Sequence, residues 1–193
     1  MKDGRRVRAL FSVVLATLTL SSGAWAEIRL PALISDRMLL QQDTPIRIWG
    51  WANPGEQVWV QFLEQTARTA ADSLGRWEAF LAPLKAGGPF QMVVSGENTI
   101  TLTDILVGEV WIASGQSNMA GGAGGYAKRD PDLAKIIAGG PYEKIRLFSS
   151  SAWRVADPTS MPRFSAIHLS FGYALQQELK VPVGLMVGAV GGT

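Results

Sequence analysis

Residues 105–113 form a run of nine residues that is apolar except for Glu109. In such a run, the side chains on both faces of a strand are hydrophobic, which is typical of a strand buried inside a parallel sheet. The residues that precede it follow a different pattern. We therefore expect the architecture of the chain to change near Asp104.

Short apolar runs between Pro and Gly turns fill residues 27–103. Ile46 and Ile48, like Val58 and Val60, follow the two-residue period of a half-buried strand. Several such strands at turn-limited spacing predict an antiparallel β-sandwich-like domain over residues 27–103. The expected strands are 46–49, 58–62, 77–80, 91–94 and 99–102.

Residues 104–193 are expected to begin an α/β domain that packs directly against the sandwich. Residues 164–179 have apolar side chains at helical spacing, and residues 181–187 again have the pattern of a buried strand. Strand, loop, helix and strand in this order open an α/β fold. These elements do not close a parallel sheet, and the chain stops on a Gly-Gly turn. The expectation is a truncated chain.

The N-terminus has the three parts of a secretory signal peptide. Basic residues lie within 2–8, residues 9–20 are almost wholly apolar, and Ala24 and Ala26 form a small-residue cleavage site. We predict a signal peptide over residues 1–26, cleaved after Ala26, and a bacterial periplasmic or secreted protein. The apolar core is short for a permanent span, so stable membrane insertion after cleavage is not expected. The alternative is an uncleaved membrane anchor.

Composition excludes several classes of function. The chain has no Cys and one His, which excludes disulfides, thiolate metal sites and multi-histidine metal sites within it. The net charge of the whole chain is +2, and the leader holds four basic residues against one acidic residue. The rest of the chain therefore has no basic excess, and nucleic acid is not an expected partner.

Gly115, Gln116, Ser117 and Asn118 follow the buried run directly. Reactive groups of α/β folds gather beyond the carboxyl ends of the parallel strands. A serine at such a strand-to-helix turn can present its hydroxyl, while its own backbone N–H points to where an oxyanion would form. On spacing alone, a serine in a Gly-rich segment is more commonly an ordinary loop residue.

The surrounding sequence resembles a known family. Residues 107–119 resemble the nucleophile block of the sialate O-acetylesterases, which belong to the SGNH (GDSL-like) hydrolase superfamily. The resemblance implies that the second region starts a flavodoxin-like SGNH-hydrolase α/β sheet. Further blocks resemble the family in the same order: 38–41, 45–52, 54–56, 71–77, 164–166, 181–185 and 191–193.

The resemblance implies a serine esterase that removes O-acetyl groups from sialic acid or related sugars through an acetyl-enzyme, without a metal or cofactor. Ser117 would be the nucleophile, and its N–H an oxyanion donor. Gly191 and Gly192 resemble the second block, whose backbone N–H also faces the oxyanion. Gln116 and Asn118 flank the nucleophile and are the candidate substrate-binding residues.

The family's Asn donor and its catalytic Asp and His would lie beyond residue 193. The single histidine of this sequence, His168, lies in the helical stretch before the Gly-Gly block. The family's base follows that block, so we interpret His168 as a packed or surface residue. This chain alone is expected to be inactive.

Two alternatives stay open. One is an esterase of the acetylxylan type that acts on plant polysaccharides. The other is a non-catalytic carbohydrate-binding β-sandwich with an inert α/β remnant. Four tryptophans of the β region could serve either as a sugar platform or as sandwich core, and the alternating pattern favours core. They are Trp49, Trp51, Trp59 and Trp77.

Overall fold

The structure is a computed structural model that describes residues 27–149 and 151–192. The signal-peptide prediction lies outside the described residues. No helix among the described residues is both long and apolar enough to cross a bilayer. The strands are β1 (Leu39–Gln41), β2 (Ile46–Trp51), β3 (Gln57–Phe62), β4 (Gln65–Ala70), β5 (Arg76–Leu81), β6 (Gly87–Ser95), β7 (Thr99–Ala113), β8 (Tyr142–Ser149), β9 (Ala152–Ala156) and β10 (Val183–Val187). The helices are α1 (Ser117–Ala120), α2 (Ala123–Tyr126), α3 (Pro131–Ala138) and α4 (Ala166–Leu179), with a 3-10 turn at Met161–Arg163.

The first region is built from two antiparallel layers. β4, β3, β6 and the first part of β7 form one layer, and β2 pairs with β5 to form the other. Ile48 of β2 and Val60 of β3 are fully buried between the layers, as their alternating patterns predict. Their burial drives the two layers together.

β7 belongs to both regions. Residues 99–107 pair antiparallel with β6, and residues 109–113 pair parallel with β10. The strands expected at 99–102 and 105–113 are therefore one continuous strand of 15 residues. Asp104, at a register shift in the pairing with β6, has a positive φ of +57°. The domain boundary predicted between residues 103 and 104 falls inside this strand.

The second region is a sheet in the order β7-β10-β8-β9. β7, β10 and β8 are parallel, and β9 is antiparallel to β8. Helix α4 packs on β10 so closely that a side chain at Gly172 would clash with Leu185. The predicted helix at 164–179 and strand at 181–187 are present as α4 and β10. The mixed α/β fold class is confirmed.

Two hydrophobic clusters lie on opposite faces of this sheet. Val183 and Leu185 of β10 belong to the cluster under α4, whereas Met186 packs against the cluster that fills the sandwich. Trp153 of β9 joins the sandwich cluster, and its indole N–H donates to the Leu33 carbonyl over 2.9 Å. The two regions therefore pack directly, without a tether between them.

Several elements are not predicted by the sequence patterns. They are the strands β1, β4, β8 and β9 and the helices α1, α2 and α3. β4 is polar and small throughout, so it lacks the apolar alternation that marks a strand. Arg146 is one of the buried residues of β8. Arginine is seldom fully buried unless it is paired, so its presence in the sequence argues against a buried strand at this place.

Candidate active site

Ser117 lies where the sequence analysis placed it, at a strand-to-helix turn. β7 ends at Ala113, three residues form a loop, and Ser117 is the first residue of α1. Gly115 in this loop has a φ of +130°, a conformation that side chains other than that of glycine rarely adopt. Gln116, Ser117 and Asn118 are all exposed. The turn thus presents the hydroxyl of Ser117 to solvent.

The Gly191–Gly192 turn lies beside Ser117. The N–H of Gly188, just after β10, donates to the Ala113 carbonyl over 2.8 Å, and the Val190 N–H donates to the Gly115 carbonyl over 3.2 Å. A Cβ at Gly191 would lie 4.0 Å from the Ser117 Cα. The parallel pairing of β7 and β10 therefore brings together two blocks that are more than seventy residues apart in sequence.

Gly192 differs from Gly191 in its surroundings. Its φ is +83°, and a Cβ there would meet nothing within 4 Å. A side chain at residue 192 would thus be opposed by backbone strain, whereas at residue 191 it would occupy space next to the serine. The sequence does not distinguish the two glycines. In the structure, the positive φ favours glycine at residue 192, and the proximity of Ser117 favours it at residue 191.

The Gly-rich segment after Ser117 is attached to the start of α4. The Ser165 hydroxyl donates to the Met119 sulfur over 3.7 Å, and the Ala166 N–H donates to the Gly121 carbonyl over 2.9 Å. A Cβ at Gly124 would lie only 3.0 Å from the Pro162 side chain. Close backbone approach therefore accounts for part of the glycine content. No pattern in the sequence predicts the contact between Met119 and Ser165.

His168 is packed inside the second region. It is 5% exposed, its ring is stacked against Phe164 and Phe171, and its Nε2 lies 3.1 Å from the Trp111 carbonyl oxygen. Burial lowers the pKa of the imidazole, and the bond to the carbonyl partly opposes this shift. Among the described residues, no hydrogen bond joins His168 to Ser117. This is the packed helix position that the sequence predicts.

This arrangement brings an exposed serine next to a glycine turn. A serine hydroxyl becomes an effective nucleophile when a base takes its proton, and His168 is engaged elsewhere. The observed geometry suits a nucleophile whose base comes from another segment.

Residues 107–193 match the SASA family, described as a carbohydrate esterase, sialic acid-specific acetylesterase. This part of the chain is similar to that family. The match begins in the second part of β7 and includes both Ser117 and the Gly191–Gly192 turn. The resemblance stated from the sequence is confirmed.

Comparisons with whole proteins agree. The chain is 28% identical to the mouse sialate O-acetylesterase over 220 residues, which cover 95% of this chain and 40% of the mouse protein. It is 28% identical to the human sialate O-acetylesterase, covering 86% of this chain and 37% of the human one. The chain thus spans about 40% of the length of the curated relatives that it matches.

A solved structure has a similar fold. The crystal structure of a carbohydrate acetylesterase from Xanthomonas citri superposes with a TM-score of 0.80 at 30% sequence identity. The match covers 86% of this chain and 41% of the other. Both comparisons support a carbohydrate esterase, of which this chain corresponds to a part.

Proposed function

We propose that this chain carries the nucleophile part of a serine carbohydrate esterase that removes O-acetyl groups from sialic acid or related sugars. One observation carries the proposal. The ends of β7 and β10 bring the Gly191–Gly192 turn against Ser117, so that a Cβ at Gly191 would lie 4.0 Å from the Ser117 Cα. An exposed serine beside backbone N–H groups is the arrangement that acyl transfer requires.

In the proposed reaction, the Ser117 Oγ attacks the carbonyl carbon of the acetyl ester and its proton passes to a base. The oxyanion is stabilised by the N–H of Ser117 and by the turn at Gly191 and Gly192, and each such donor contributes about 2.7–4 kcal/mol. Collapse of the tetrahedral intermediate breaks the bond to the sugar oxygen, which takes the proton from the base. Water then hydrolyses the acetyl-enzyme to acetate and free serine. No metal or organic cofactor takes part.

We infer that the base and its orienting carboxylate come from a segment outside these residues. The relatives are more than twice as long as this chain, which supports the inference. His168 donates its Nε2–H to the Trp111 carbonyl and is packed between two aromatic rings, so it is not assigned this role.

The substrate is proposed from the family and from the residues around the nucleophile. Gln116 and Asn118 are exposed on either side of Ser117 and are proposed to hydrogen-bond the sugar. The printed names of the mouse and human relatives favour an O-acetylated sialic acid. The Xanthomonas citri relative, named only a carbohydrate acetylesterase, keeps an acetylated polysaccharide as the second candidate. With the leader removed after Ala26, the reaction would take place in the periplasm or outside the cell.

The test is a chimera in which this chain replaces its equivalent in the Xanthomonas citri enzyme. Acetate release from O-acetylated sialic acid and from acetylated xylan identifies the substrate class. Ser117→Ala should lower turnover by several orders of magnitude, because the covalent step is lost. The isolated chain gives the baseline, which we expect to be close to the uncatalysed rate.

Ser114→Ala is the matched control. Ser114 is exposed in the same loop, three residues from Ser117, and its removal should leave turnover and melting temperature nearly unchanged. A folded chimera whose Ser117→Ala variant kept parental turnover would contradict the nucleophile assignment. A folded chimera that released no acetate, even with Ser117 intact, would favour the non-catalytic alternative.

A further inference from the structure

The outer face of the β2–β5 sheet carries an unusual set of side chains. Ile46 and Ile48 point into the core, so the two-residue period turns the residues between and after them outward. The register places three cross-strand pairs on this face. We call these six residues the tryptophan face: Arg47 with Phe80, Trp49 with Glu78, and Trp51 with Arg76.

Aromatic rings are exposed on this face. Trp51 is 39% exposed and Phe80 is 57% exposed, while Trp49 is half-buried. Trp49 and Trp51 are two residues apart on the same side of one strand, so their rings are neighbours along the sheet. The sequence analysis favoured a core position for these tryptophans. That prediction is right for Trp77, which is buried, and wrong for Trp51.

A cleft of about 440 Å³ opens where this face meets β4. Its walls include Trp49, Trp51 and Trp77. Trp77 is 4% exposed, and its indole N–H has no hydrogen-bond partner among the described residues. A buried donor without a partner is unfavourable, and Trp77 lies on the buried side of β5, behind the exposed side chains of this face.

Ion pairs hold the polar groups of this face in place. The Arg47 Nε donates to the Glu78 carboxylate over 2.7 Å, and the Arg47 guanidinium lies 5.4 Å from the centre of the Trp49 ring. Arg76 is held by Asp72 at 2.9 Å. Each guanidinium has five N–H donors, so these contacts leave other donors free. Fixed polar groups lose little entropy when a ligand binds.

We propose that the tryptophan face binds a neutral saccharide chain. Pyranose rings would stack on Trp49 and Trp51, and their hydroxyls would bond to the fixed charged groups. A sugar ring has an apolar C–H face with hydroxyls at its rim, which matches flat aromatic rings bordered by donors and acceptors. In the cleft, Arg47 and Arg76 are balanced by Glu78 and Asp72, so the cleft has no net charge to recruit a polyanion.

The face continues toward the candidate active site. Arg47 and Trp49 also line an apolar groove whose other wall includes Val110 of β7 and Met186 of β10. These two strands lead to Ser117 and to the Gly191 turn. A polysaccharide held on the tryptophan face would therefore be kept near the strands that carry the nucleophile. The binding itself does not depend on Ser117 being catalytic.

Affinity electrophoresis of the 193-residue chain tests the proposal. The gels contain one of three neutral polymers (arabinoxylan, galactomannan or hydroxyethyl cellulose) or the anionic polymer polysialic acid. We expect at least one neutral polymer to retard the chain and polysialic acid to leave it unretarded. Trp49→Ala and Trp51→Ala should each weaken the retarding interaction by about tenfold or more, because aromatic side chains carry most of the affinity at binding surfaces.

Trp59→Ala is the matched control. Trp59 is a half-buried tryptophan of β3, with the Arg68 guanidinium 5.5 Å from its ring centre, but it lies in the other layer of the sandwich. Its removal should not alter retardation, and melting temperatures show that each variant is folded. Ser117→Ala should bind like the parent, which separates this proposal from the esterase assignment. Retardation by no neutral polymer, by polysialic acid alone, or equally for Trp51→Ala and the parent would overturn it.

Discussion

The guanidinium of Arg146 donates to the Asp104 carboxylate over 2.6 Å, at a register shift in the pairing of β7 with β6. Arg146 is 2% exposed, whereas the Asp104 side chain is 38% exposed. This bond is made by Nη2, and the Nε and Nη1 of Arg146 have no hydrogen-bond partner among the described residues. Burial lowers the pKa of this guanidinium, and the charge of Asp104 opposes the shift. The carboxylate of Asp104 thus compensates the buried positive charge of Arg146 in β8.

Asp104→Asn is expected to destabilise the fold by on the order of 3 kcal/mol, since it leaves a buried cation without its counter-charge. Asparagine accepts the positive φ of this position, so the backbone effect is small. Urea unfolding measures the change. Arg146→Met should be less harmful, because methionine fills the same space and water solvates the partly exposed Asp104. A smaller loss for Asp104→Asn than for Arg146→Met would contradict this account.

Gly191 and Gly192 should respond differently to substitution. Gly191→Val in the chimera is expected to lower acetate release by about tenfold or more, because the methyl groups of the valine would enter the space beside Ser117. The free energy of unfolding should change by about 0.5 kcal/mol or less. Gly192→Ala meets no neighbour but forces a side chain into a positive φ, which costs about 1 kcal/mol. Steady-state kinetics and thermal melts on both variants distinguish the two effects. The assignment is wrong if Gly191→Val releases acetate at the parental rate.

The burial of His168 predicts a pH dependence of stability. Its pKa in the folded state is lowered below the usual value of 6.5, mainly by burial. Between these two values the unfolded chain binds the proton and the folded chain does not, so stability falls as the pH drops below about 6.5. Melting temperatures from pH 8 to pH 5 should show this loss. His168→Gln should flatten the curve over that range, while ordinary carboxylates titrate about two units lower.

Export should remove residues 1–26. Expression of the chain with its leader in a Gram-negative host, followed by N-terminal sequencing of the periplasmic material, should find Glu27 as the first residue. Ala26→Arg is the control, because a large charged residue at the cleavage site blocks processing. Recovery of an intact Met1 from the parent after export would show an uncleaved anchor instead.

Much of the fold could be predicted from local patterns. The two-residue period identified β2, β3 and β5, and the helical period identified α4. Arg146 shows why β8 was missed, because the charge that makes this strand look exposed is satisfied by Asp104, 42 residues earlier in the chain. Pairings over such distances in sequence leave no local pattern.

The candidate site shows the same division. Ser117 and the Gly191–Gly192 turn could be proposed from the blocks that resemble the family, yet their contact follows from the pairing of β7 with β10. Trp49 and Trp51 show how the same pattern can be misread. The alternation of the run is interpreted from the sequence as placing the tryptophans in the core, yet the period that buries Ile46 and Ile48 turns both tryptophans outward.

The continuity of β7 limits how this protein can be cut and recombined. The first part of β7 pairs with β6 in the sandwich, and the last part pairs with β10 and leads to Ser117. Cutting the strand between residues 103 and 104 would therefore leave an unpaired strand edge on both fragments. The N-terminal region is therefore unsuited to exchange as a separate cassette. A designer who wishes to graft the nucleophile turn into another esterase has to carry β6 and β1 with it, because they hold the first half of the strand in register.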